Sequence, residues 1–255
     1  MPGLLGSSEK ASLIPPPRSR SPAYRAPGTA LPHPSTHADG DPRALAERFG
    51  SSLDAVQGSH ETVESTDAVA GRVAAYIAVL RETDATEGLS FARVIAWTPD
   101  ALGLPDLSDR LARDGISVVV PDNLHDAIQR RDAADIAVGI TSVDAALAST
   151  GTLVMRASAG QSRAASLLPL HHIVLVPASR IHPTVEAWIA SLRKEGRLDE
   201  TIRDSAQLTF ITGPSKSADI ELTLTLGVHG PRTVHAIVYH EQDPTEPPGS
   251  RISQA

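Results

Sequence analysis

Between residues 93 and 176 short apolar runs alternate with segments of helical periodicity, and this alternation narrows the fold more than any other property of the chain. Residues 93–97, 116–120, 136–140, 151–157 and 172–176 read as strands. Helical spacing is read at 107–113, closed by Gly115, at about 123–131, at 143–149, and at 184–194, ended by Gly196. Upstream, Leu45, Phe49, Leu53 and Val56 make 43–57 an amphipathic helix. Residues 60–64 read as a short extended piece, and a helix over about 67–82 aligns Val69, Val73, Ile77 and Leu80 on one face. Short, mainly apolar strands alternating with helices predict an α/β fold: a mainly parallel sheet with helices on both faces, plus N-terminal helices.

Composition limits what such a core is made of and what it binds. Aromatic residues are only 3% of the chain, so Val, Ile, Leu and Ala must fill the interior. With 23 basic against 30 acidic residues the net charge is −7, and both the basic face and the stacking aromatics that nucleic-acid binding needs are missing. The chain has no cysteine, which suits a cytoplasmic location and rules out thiolate ligands for an iron–sulfur cluster or a Cys-type zinc site. No apolar run reaches the ~18–20 residues of a membrane span.

Residues 1–42, rich in Pro and Ser, are expected to be a disordered tail or an over-long gene start, and 242–255 a second flexible tail, leaving one domain over 43–241. The N-terminal stretch has no apolar core of the kind a secretory signal needs.

The candidate chemistry clusters near the C-terminus. Residues 207–212 and 234–239 read as strands, separated by the corners Gly213-Pro214-Ser215 and Gly227-Val228-His229-Gly230-Pro231. Between them Ile220, Leu222, Leu224 and Leu226 alternate with period two, which favours strand. A short helix capped by Ser215 would instead complete a strand–helix–strand unit with its turn where open α/β sheets bind ligands, and that is the assignment adopted. Gly213, Ser215 and Lys216, with Gly227 and Gly230, are then candidates for holding a phosphate or carboxylate on free backbone N–H groups and a cation. The plain structural alternative is a capped helix start with a solvated lysine. His229, displayed between two glycines, is a candidate acid, base or ligand. Asp219 is a candidate acid or base, or a helix-dipole partner. Glu221 shares its face only on a strand. His235 is expected to be a satisfied, partly buried histidine.

A second candidate set is Thr150, Gly151 and Thr152, at the start of a strand, with Thr141 or Ser142 capping the preceding helix and Asp144 in its first turn. Arg163 could take an anion or lie in solvent. No catalytic residue is assigned, and no known metal spacing is present.

Three blocks, GITSVDAALASTGTLVMRAS at 139–158, SLLPLHHIVLV at 166–176, and GPSKSADIE with GVHGP after residue 213, resemble the LUD-domain family, within it the lactate-utilisation protein C group. The resemblance covers roughly residues 45–240. It implies a NagB/RpiA/CoA-transferase-like fold. It also implies an accessory role in a cytoplasmic iron–sulfur system that oxidises L-lactate to pyruvate, with the clusters on partner subunits: a Cys-motif subunit and an iron–sulfur LUD-domain subunit. The wider fold family includes CoA transferases with a glutamate nucleophile, which is why Glu221 is kept. Many relatives have an acidic or aromatic residue just before the TGT, where this chain has Ser149. The alternative is a free-standing enzyme or binding protein for a phosphorylated or CoA-linked small molecule.

Overall fold

The computed structural model describes residues 41–84, 86, 88–121, 126–218, 224–226 and 230–241. The two expected tails lie outside them, except that Asp41 caps the first helix and Pro42 opens it. So do Asp219, Glu221, Gly227 and His229.

Helix α1 (Pro42–Ala55) starts with Asp41 accepting from the Arg43 backbone N–H and with Pro42 in its first turn, where a missing N–H costs nothing. It buries Leu45, Phe49 and Leu53, each worth about 1.5–3 kcal/mol against exposure. Strand β1 (Ser59–Val63) and helix α2 (Thr66–Thr83) follow. Val69, Val73, Ile77 and Leu80 are all buried, as their spacing predicts.

Six strands form one parallel sheet. They are β1, β2 (Ser90–Ala96), β3 (Ser117–Val119), β4 (Ile136–Ser142), β7 (His171–Pro177) and β12 (Thr233–Tyr239), in the order β1-β12-β7-β4-β2-β3. Its centre is mostly apolar, with Ile95, Ile140, Ile173, Leu175 and Ile237 fully buried, and it also buries Thr141, His172 and His235. The short helices α3 (Pro99–Leu102), α4 (Leu107–Arg113) and α5 (Ala127–Ala133) lie between its early strands. Gly115, at φ 74°, follows α4 as expected.

Register shows that both faces are covered. Gly139 pairs with His172 and His172 with Val234, so these three share a face. Helix α6 (Ala164–Leu167) packs there so closely that a Cβ on Gly139 would lie 1.8 Å from the Ala165 carbonyl oxygen. His235, one residue on, points the opposite way and stacks on Tyr76 of α2, with ring centroids 3.9 Å apart.

A second sheet of four strands has the order β8-β5-β6-β9: β5 (Ala145–Leu147), β6 (Thr152–Ala157), β8 (Ile181–His182) and β9 (Gln207–Thr212). Helices α7 (Val185–Lys194) and α8 (Leu198–Arg203) accompany it, with Trp188 and Leu192 buried against Ala145, Leu147 and Val154.

Two local assignments are corrected. The Ala-rich stretch expected to be helical at 143–149 contains β5, paired with both β6 and β8, and Thr141 and Ser142 belong to β4 rather than capping a helix. Alanine's helix propensity is worth only tenths of a kcal/mol per residue and loses to two-sided burial. Where a helix was expected between the glycine corners, β10 (Lys216–Ala218) and β11 (Leu224–Leu226) pair antiparallel, as the period-two pattern favoured. The strand–helix–strand unit therefore does not exist. β9 runs antiparallel to β6 in the small sheet, while β12 lies between β1 and β7 in the large one. Among the described residues no helix is long and apolar enough to cross a membrane.

Candidate functional site

The strand order places a crevice. Within the large sheet the strand after β2 is β3 and the strand after β4, reached by way of the small sheet, is β7; the two lie on opposite sides of the β2–β4 pair, so the strand order reverses there. Open α/β sheets bind ligands at such a switch point, beyond the carboxyl ends of the strands. A cavity of ≈ 370 Å³ opens there. Asp100 lines it from α3, which follows β2, Asp144 from the loop after β4, and Ser179 and Arg180 from the segment after β7. Arg156 of β6, His182 of β8, and Glu195 and Arg197 after α7 close its far side.

Asp144 and Arg156 are locked together. One carboxylate oxygen accepts the Arg156 backbone N–H at 2.7 Å and the other accepts Nε at 2.6 Å, with the two side chains only 12% and 22% exposed. Arg197 pairs with Glu195 at 3.1 Å. Arg180 differs: it donates to the Val143 carbonyl at 2.5 Å, and among the described residues no carboxylate lies in ion-pair range of it. Burial lowers the pKa of His182, partly offset by Glu195, which keeps the imidazole neutral near pH 7. The cavity thus holds two compensated arginines and one cation tied only to a backbone carbonyl, an arrangement suited to a small anion.

The residues singled out in the sequence lie elsewhere. Thr150, Gly151, Thr152, Gly213, Ser215 and Lys216 converge on the C-terminal end of α1. Thr152 Oγ1 lies 2.7 Å from Thr150 Oγ1 and 2.8 Å from Thr212 Oγ1. Gly151, at φ 64°, would bring a Cβ within 2.4 Å of the Leu53 nitrogen, and Gly213, at φ 73°, within 2.4 Å of the Val56 carbonyl oxygen. Lys216 Nζ donates to that same carbonyl at 3.0 Å, where the helix dipole favours a cation. The two glycine corners do meet: the Ser215 N–H donates to the Pro231 carbonyl at 2.9 Å, and Gly230 lies against Ser215. Arg163 sits apart and exposed at the start of α6, beside Leu167 and Leu168.

His235 is buried and bonded, its Nδ1 2.8 Å from Ser59 Oγ and its Nε2 3.3 Å from Glu61, with Glu61 also held by Arg72. A second buried pair joins His171 Nε2 to Asp84 at 2.7 Å. Burial lowers the pKa of both imidazoles despite their carboxylate neighbours.

The sequence reading missed Arg156, Arg180 and His182. A usable signal exists for two of them: Arg180 and His182 come directly after the apolar run 172–176, where a charged or ionisable residue lands at the carboxyl edge of the sheet.

Known proteins place this architecture. The LUD domain family model matches residues 88–239. Curated proteins called lactate utilization protein C are similar to the chain. The one from Halalkalibacterium halodurans is 33% identical over 156 residues, 61% of this chain and 66% of that protein. The one from Shouchella clausii is 36% identical over 152 residues, 58% of this chain and 63% of that protein. The chain spans less than two-thirds of the length of these curated relatives. The crystal structure of a DUF162 family protein from Deinococcus radiodurans shares the fold, with a TM-score of 0.52 at 19% identity over 78% of this chain and 98% of that one. With more than half of its length matched by the family model, the chain belongs to the LUD-domain family.

Proposed function

We propose that the chain serves L-lactate utilisation as a cytoplasmic component without a redox centre of its own, working beside a Cys-motif subunit and an iron–sulfur LUD-domain subunit. The observation behind this reading is the similarity to proteins called lactate utilization protein C. The absence of cysteine from the sequence supports it, because oxidation of lactate releases two electrons and this chain offers no thiolate to hold a cluster that would take them. Its contribution is binding and assembly, with the switch-point cavity as the ligand site and Arg180 as its anion contact.

Affinity purification of the full chain without oxygen, from cells grown on L-lactate, tests the reading. Recovery of iron-containing, Cys-rich partners, together with lost growth on lactate in a strain lacking the chain, is the expected result. Undiminished growth of that strain on lactate would overturn it.

A free-standing binder of phosphorylated molecules is the second reading, favoured by a cavity that exceeds what a three-carbon acid fills. The compensated charges of Arg156 and Arg197 weigh against it, since a phosphate dianion calls for more uncompensated cation than Arg180 supplies.

A further inference from the structure

A second cavity, of ≈ 380 Å³, adjoins the first at the same edge of the sheet and is lined by Thr66, Asp67, Gly103, Tyr239 and Glu241. Tyr239 is the last residue of β12, in register with Pro177 of β7, three residues before Arg180. Ser179, in the wall of the first cavity, donates to Glu241, in the wall of the second, so the two lobes share a rim.

Tyr239 is only 2% exposed, yet its hydroxyl has no hydrogen-bond partner among the described residues, which is uncommon for a buried phenol. The hydroxyl is not enclosed by protein either: among the described residues, the enclosed side-chain polar atom without a partner is His172 Nδ1. Tyr239 therefore points its hydroxyl into the lobe, close to Gly103. Burial and Glu241 push the phenol up to about 12, with Arg180 offsetting part of the rise, so it is a standing donor at neutral pH. The first turn of the 18-residue α2 faces the same lobe, and its N-cap, Ser65, makes no side-chain bond to it.

The chemistries of the two lobes differ. The first offers the uncompensated guanidinium of Arg180. The second offers a phenol donor beside the carboxylate of Glu241, which accepts from hydroxyl groups and repels a second anion, while Asp67 in the same wall is already paired with Arg110 at 2.7 Å. We propose that the crevice binds a polyhydroxylated monocarboxylate longer than lactate, of sugar-acid size, with its carboxylate on Arg180 and its hydroxyl-bearing chain reaching Tyr239 and Glu241. The charge count favours one carboxylate over phosphate: Arg156 and Arg197 are neutralised by Asp144 and Glu195, and Arg180 is the single lining guanidinium with no carboxylate in ion-pair range among the described residues, the exposed Asp100 lying elsewhere on the same wall. The inference rests on the proposed ligand site, the switch-point cavity with Arg180 as its anion contact, and not on the role in lactate utilisation, so lost growth on lactate and lost gluconate binding are separate outcomes.

Calorimetric titration of the full chain with D-gluconate, L-lactate and inorganic phosphate tests it. Gluconate is expected to bind at least about tenfold more tightly than lactate or phosphate. Tyr239→Phe, which removes one oxygen from a buried ring, should weaken gluconate about tenfold and leave lactate unchanged, as expected for the loss of one hydrogen bond. Arg180→Gln should abolish gluconate binding. Glu241→Gln, at an exposed position, gives a second reading of the hydroxyl lobe should Tyr239→Phe fail to fold, and it too should weaken gluconate selectively. Absence of saturable gluconate binding, equal affinity for lactate or phosphate, or variants at 239 and 241 that bind like the parent would each overturn the proposal.

Discussion

Asp144 accepts two hydrogen bonds from one residue, the backbone N–H and the Nε of Arg156, and so fastens the loop leaving β4 in the large sheet to strand β6 of the small one. The bond is local in space and twelve positions apart in sequence.

Removing one member of a mostly buried pair leaves the other charge uncompensated, which costs about 3–5 kcal/mol when both are fully buried. Arg156 keeps about a fifth of its surface in water, so Asp144→Ala should cost about 2–4 kcal/mol. Urea unfolding of the two proteins measures this; a loss under about 1 kcal/mol would show that solvent already screens the pair.

Gly151 and Gly213 should tolerate no side chain. Both have positive φ, and a Cβ on either would overlap the backbone of α1. Gly151→Ala and Gly213→Ala are each expected to destabilise by about 2 kcal/mol or more and to expose 42–55 to limited proteolysis. Unchanged protease resistance would argue against packing as the reason for these glycines.

Lys216→Ala separates the two roles open to this lysine. As a cap on the Val56 carbonyl it should contribute no more than about 1 kcal/mol, and its loss should leave anion affinity at the switch-point cavity unaltered. A large loss of affinity with unchanged melting temperature would restore Lys216 as a ligand residue.

His172 predicts a pH dependence of stability. Burial drives its pKa down to about 3 from an ordinary value near 6.5, so the folded protein keeps it neutral while the unfolded chain takes up a proton as pH falls. The unfolded state then binds more protons, so stability is fully present above about pH 6.5 and is lost as pH falls toward 3, on the order of 2 kcal/mol by pH 5. His171, His182 and His235 are shifted in the same direction. Unfolding midpoints between pH 7 and 5 should fall less steeply in His172→Gln, whose side chain still reaches Thr141 but binds no proton. Identical slopes would show that His172 contributes nothing to the pH dependence of stability.

The parallel core was legible from residue order because its signal is local. Apolar runs such as 136–140 and 172–176, and the 3.6-residue spacing of Val69, Val73 and Ile77, state burial without reference to any partner. Residues 143–149 were decided by neighbours outside the run: β5 is a strand because β6 and β8 lie beside it, and no propensity within seven residues encodes that pairing. β10 and β11 pair only with each other, and there the period-two alternation was the better guide than the strand–helix–strand analogy. The site followed the same division. Gly151 and Gly213 stand out in the sequence as special backbone positions, yet only the docking of α1 shows what they accommodate. Asp144, Arg156, Arg180 and Tyr239 come from four separate strand ends and loops, unremarkable one by one. Asp144, Arg180 and Tyr239 gather at one edge because parallel pairing sets the carboxyl ends of β4, β7 and β12 side by side, and the small sheet brings Arg156 of β6 onto Asp144; that juxtaposition belongs to the tertiary structure alone.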